Sequence, residues 1–67
     1  MKKLKTHEVI DLHYTEGMGC FVGTVDECNE FVAEQGMTYF MYKVVPMTKK
    51  EIENYPDNEW YYKEKNH

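Results

Sequence analysis

The chain has 67 residues, eight lysines against twelve carboxylates, no arginine and no serine, giving a net charge of -4 and an isoelectric point near 5.2. Arginine is the side chain that best forks onto phosphate and guanine, so its absence, with the acidic balance, argues against direct nucleic-acid binding. No run approaches the ~20 apolar residues of a membrane span, and two cysteines are too few for a disulfide framework or a four-ligand zinc site.

This length predicts one domain over residues 1–67, with 1–5 and 63–67 as flexible ends. A chain this small buries only about 60% of the surface its unfolded form exposes, so it leans on a staple or a partner. The basic Met1–Lys5 stretch runs into Thr6-His7-Glu8, not into an apolar segment. No leader is therefore expected, the setting is cytoplasmic, and the thiols stay reduced.

Residues 7–14 alternate with the period of a strand, placing Ile10, Leu12 and Tyr14 on one face and His7, Val9, Asp11 and His13 on the other. Thr15-Glu16-Gly17-Met18 suits a hairpin loop with Gly17 in the left-handed conformation, and Gly19–Gly23 reads as a short second strand. Thr24-Val25-Asp26-Glu27 is a capping box, the threonine accepting from the backbone three residues on while the glutamate reaches back. It opens a helix from Val25 to about Gln35, with Val25, Cys28, Phe31 and Val32 as its apolar stripe and Gly36 just past its end. Thr38 to Val45 is β-branched and aromatic and predicts a third strand, closed by Pro46. A second capping box, Thr48-Lys49-Lys50-Glu51, starts a short helix that stops near Asn54-Tyr55-Pro56. Met47 and Ile52 stand at the spacing of a hydrophobic staple, and the tail beyond is polar apart from Trp60-Tyr61-Tyr62.

A right-handed crossover from the second strand through the helix lays the third strand parallel to the second. Placed beside the first, it gives a sheet of order 2-1-3 with antiparallel neighbours. The single helix covers one face, expected to present Ile10, Leu12, Tyr14, Phe40, Tyr42 and Val44. The other face then shows Val9, His13, Tyr39, Met41 and Val45, with Phe21, a patch that the aromatic tail, a second copy or another protein would have to cover.

Candidate chemistry is thin. His7 and His13 stand about 20 Å apart on a strand and cannot share an ion, and Asp11 with His13 alone makes no metal site. Cys20 and Cys28 read as small hydrophobes. The glycines at 17, 19 and 23 belong to a hairpin, because a dinucleotide site needs them in one turn with a further βαβ half. Thr24 and Thr48 are committed to caps, and no nucleophile-base pair presents itself. The helix is different: Val25 to Gln35 holds four carboxylates and no base, while the remaining residues balance eight against eight. The helix dipole accounts for Asp26 and Glu27, but not for Glu30 and Glu34.

The segments Gly23–Val32 and Val45–Glu51 resemble small uncharacterised proteins of bacteriophages and gut bacteria. In these a strand ends in a Gly-Thr turn, a helix of E-E-C/A-x-x-F pattern follows, and a strand closes with P-M-T-x-x-E. The resemblance spans residues 20–52 and brings no catalytic residue. It implies a phage or mobile element as the setting, where short acidic proteins serve as inhibitors or accessory factors.

The sequence therefore reads as a small α+β domain: a three-stranded antiparallel sheet of order 2-1-3, one helix on one face, a short C-terminal helix and an aromatic tail. The expected function is a non-catalytic protein-binding module without metal or cofactor. Its contacts would run through Asp26, Glu27, Glu30 and Glu34, or through Tyr39 and Met41. The partner is another protein, a basic nucleic-acid-binding host protein suiting the acidic face, or a second copy docking on the sheet. Neither nucleic acid nor membrane is expected to be contacted directly.

Overall fold

A computed structural model describes residues 3–65. Strands β1 (His7–Asp11), β2 (Met18–Gly23) and β3 (Tyr42–Pro46) form one antiparallel sheet in the order β2-β1-β3. Helix α1 (Val25–Ala33) connects the outer strands, a 3-10 segment spans Gly36–Met41, and α2 (Lys49–Asn54) and α3 (Glu59–Lys65) follow β3. The sheet order and the first two helices are those expected. The aromatic tail is a third helix, so residues 63–65 are its last turn.

Both capping boxes form in full. Thr24 Oγ1 accepts from Glu27 N–H at 3.2 Å while Glu27 Oε1 accepts from Thr24 N–H at 2.9 Å. Thr48 and Glu51 repeat the exchange at 3.2 and 3.0 Å. Gly17 and Gly36 take the left-handed conformation, at φ +75° and +65°, one in the hairpin loop and one beyond α1.

Two expected boundaries are corrected. Strand β1 stops at Asp11, not Tyr14. Asp11 Oδ1 accepts from His13 N–H at 2.9 Å, an Asx turn that pulls the chain out of the ladder. Residues 38–41 are accordingly 3-10 rather than strand, because β1 offers them nothing to pair with. A hydrogen bond from Leu12 N–H to Met41 O at 2.7 Å crosses this gap.

The facing of β3 is as expected, with Tyr42 and Val44 toward the helix, but that of β1 and β2 is corrected. Residues directly opposite one another share a face, and the register sets Val9 against Phe21 and Val44, and Asp11 against Tyr42. Phe31 of α1 stacks on Phe21 at 4.8 Å between ring centroids and meets Tyr42 edge-on at 6.0 Å. The helix therefore covers Val9, Phe21, Tyr42 and Val44, and Val9 and Cys28 are fully buried. Ile10, expected inside, lies on the open face with Glu8, Val22 and Val45, all half-buried. A bulge at Cys20, where the register shifts between Val9 and Ile10, leaves that thiol exposed.

Helices α2 and α3 pack on one another beyond the end of the sheet. The molecule is consequently a plate, 46 × 26 × 13 Å along its principal axes. Its 13 Å thickness holds the sheet and one helix layer, since a further layer would need roughly another 10 Å. The described part of the tail, α3, does not fold across the open sheet face.

Candidate protein-binding surfaces

Three strand ends meet where Asp11 pairs with both Met18 and Tyr42. The hairpin loop and the 3-10 segment leave the sheet side by side at this end, joined by the Leu12–Met41 hydrogen bond. Six large apolar side chains stand out from these two turns. Leu12, Tyr14 and Met18 are 44–54% exposed, Tyr39 and Phe40 60% and 66%, and Met37 92%. Tyr39 and Phe40 brace each other edge-on at 6.3 Å. The short 3-10 turn explains the exposure, since its side chains point away from a sheet that has already ended.

Tyr39 thus stays exposed but moves from the sheet face to the turn. Met41, expected beside it, is half-buried at the last 3-10 position and contributes its carbonyl to Leu12. Sequence reasoning missed Leu12, Tyr14, Met37 and Phe40 as surface groups. Strand propensity placed Leu12, Tyr14 and Phe40 inside, and only the Asx potential of Asp11 could have signalled that the strands end early.

Helix α1 separates the four acidic candidates. Asp26 is exposed on the first turn. Glu27 is occupied by the cap, and the Thr24 backbone N–H holds its carboxyl below the ordinary glutamate range. Glu30 and Glu34 are exposed, with no ion-pair partner among the described residues. Glu27, Glu30 and Glu34 line one side of a shallow groove with Phe21 and Phe31, about 180 Å3 in volume.

At the opposite end a wider cleft of about 740 Å3 lies between the start of α1 and the C-terminal helices. Its lysines and carboxylates largely engage each other: Lys63 with Glu59 at 2.5 Å, and Lys5 with Asp57 at 3.9 Å. Lysines concentrate here, whereas residues 6–48 hold seven carboxylates and one lysine. The plate is electrically lopsided, with its apolar end on the acidic side.

The groups considered for chemistry are placed as follows. Asp11 Oδ1 also lies 2.5 Å from His13 Nδ1, and the hydrogen bonds from His13, backbone first, pull its carboxyl down. Burial raises the Cys28 thiol, and partial desolvation with the Asp11 charge raises that of the largely exposed Cys20. Cys20 Sγ donates to Val9 O at 3.5 Å. Among the described residues no three His, Cys, Asp or Glu side chains are grouped to hold a metal. No helix there is long and apolar enough to cross a membrane. No protein-family model, curated protein or solved structure matches the chain.

Proposed function

We propose that the protein is a non-catalytic protein-binding module that docks a basic partner on the apolar end formed by the hairpin loop and the 3-10 segment. The supporting observation is the gathering of Leu12, Tyr14, Met18, Met37, Tyr39 and Phe40 at one end of so small a chain. Soluble monomers rarely expose contiguous apolar patches beyond a few hundred Å2, and aromatic and methionine side chains are enriched at interfaces. Such an interface takes its affinity from the rings and its approach from the charge, because the acidic side of the plate steers a cationic partner toward it. An inhibitor or accessory factor of a basic, nucleic-acid-binding host protein fits this surface, and the phage-like pattern of residues 20–52 suits that role.

A second copy is a poorer occupant. Apposing two apolar ends would also appose two acidic bodies of like charge. The test is a photo-crosslinking residue placed at Phe40, with Glu53 on α2 as control. The Phe40 position should yield one discrete adduct with a foreign protein, lost in Tyr39→Ser/Phe40→Ser. Light scattering should show a monomer over a wide concentration range. An adduct of twice the chain mass, or a stable dimer that the double variant dissolves, would transfer the surface to self-association.

A further inference from the structure

The groove beside α1 has a chemistry that names its occupant. It is lined by the stacked pair Phe21 and Phe31, rings 16° from parallel, and by Glu27, Glu30 and Glu34, of which Glu30 and Glu34 are exposed and outside the cap. At about 180 Å3 it is too small for a drug-sized ligand, whose pockets run from roughly 300 Å3 upward, and it suits a single side chain. An apolar side chain would desolvate the carboxylates and return nothing, and an anion would be repelled. A cation with a flat, weakly hydrated head satisfies rings and carboxylates together: it lies against the aromatic pair and donates to the carboxylates.

We propose that this groove is an arginine socket, receiving the guanidinium of an arginine on the partner. Resting as it does on the binding-module reading, the assignment specifies the partner's contact residue. Guanidinium is preferred over ammonium because it is planar, stacks on aromatic faces and presents a fork of donors to carboxylates. The sequence adds a decisive restriction: this chain has no arginine, so a second copy cannot supply one. A lysine would be the weaker occupant, because an ammonium is a compact, strongly hydrated point charge without a planar face to stack. The socket also joins the apolar end without a break. Glu34 caps α1 immediately before the 3-10 segment, and Phe31 reaches Tyr42 at the head of β3. A partner seated on Tyr39 and Phe40 would thus extend a neighbouring arginine along α1.

The test titrates the isotope-labelled protein with a blocked pentapeptide, Gly-Gly-Arg-Gly-Gly, and with its citrulline and lysine counterparts. Citrulline keeps the shape of arginine and removes its charge. The arginine peptide should shift the amide resonances of Phe21, Glu30, Phe31 and Glu34 and move its own side-chain protons upfield through ring currents. The citrulline peptide should bind at least about tenfold more weakly, and the lysine peptide several-fold more weakly. Glu30→Gln/Glu34→Gln, both exposed and safe for the fold, should lose the arginine preference. Tyr39→Ser/Phe40→Ser should keep it. Equal binding of arginine and citrulline, or shifts at Glu51 and Glu53 as large as those in the groove, would overturn the socket. If the socket fails while the Phe40 adduct persists, the binding-module reading stands without it. Arginine binding with no foreign adduct would leave the socket and remove the apolar end.

Discussion

The side chain of Asn58 clasps the main chain of Lys5, 53 residues earlier in the sequence. Asn58 Oδ1 accepts from Lys5 N–H at 2.9 Å, and Asn58 Nδ2 donates to Lys5 O at 2.8 Å and to Ile52 O at 3.0 Å. Asn58 is fully buried and has no apolar alternative for these contacts. Because α2 and α3 pack on each other beyond the sheet, this amide is the chief polar joint between the two halves of the plate. Met47 N–H to Thr6 O, at 2.9 Å, lies beside it.

Removing the amide strips these partners from the half-buried backbone groups of Lys5 and Ile52 and opens a cavity where Asn58 was fully buried. Asn58→Ala should therefore cost about 2–4 kcal/mol. Asn58→Asp retains the acceptor but loses both donations and adds a buried charge, so it should be no milder. Urea denaturation followed by circular dichroism checks both, and a wild-type midpoint for either would show that the clasp holds nothing together.

The face assignment makes a contrary pair. Val9→Ala should cost about 1.5–3 kcal/mol, because the fully buried Val9 lies under α1. Ile10→Ala deletes more carbon from a half-buried site and should nonetheless cost less. The reverse order in chemical denaturation would return the sheet to the opposite facing.

Gly17 carries a local test of the hairpin. At φ +75° a side chain is strained, and an added Cβ would sit 2.7 Å from Ile10 Cγ2. Gly17→Ala should destabilise by about 1–2 kcal/mol, above the ordinary left-handed penalty alone. A neutral result in thermal melts would mean that the turn relaxes into another type.

Stability should fall in acid, for a nameable reason. Glu27 and Glu51 are held low by the Thr24 and Thr48 backbone N–H groups, Glu59 by Lys63, and Asp11 by His13. Each has a folded-state pKa below its unfolded value, so the unfolded chain binds more protons as acid is added. The contribution is complete above the unfolded range near 4–4.5 and is lost as pH falls through the folded values. The midpoint should therefore drop from about pH 5 toward 3. Glu27→Gln/Glu51→Gln should flatten that slope at some loss of stability near neutral pH. An unchanged slope would assign the acid sensitivity to other carboxylates.

Legibility in the sequence tracked the range of the forces involved. A capping box is settled among four consecutive residues, and Thr24–Glu27 and Thr48–Glu51 close as their spacing requires. Positive φ at Gly17 and Gly36 is equally local, and the sheet order follows from chain handedness with few elements to arrange. The four carboxylates of α1 were readable as a surface, and Glu27 as part of the cap, but not that Phe21 and Phe31 stack beside them.

By itself, the sequence determined where α1 and α2 begin, where the chain turns, which segment carries the charge and that arginine is absent. Tertiary structure alone decided which side of β1 is covered. A strand with Val9 and Ile10 on opposite faces offers both, and the choice fell to where Phe31 finds Phe21 and Tyr42. It also decided that Asp11 ends β1, which deprives residues 38–41 of a partner and turns Tyr39 and Phe40 outward. Asn58 joins Lys5 only because the fold brings them together. Local hydrogen bonds are encoded in neighbouring residues, whereas burial and exposure depend on contacts that exist once the whole chain has packed.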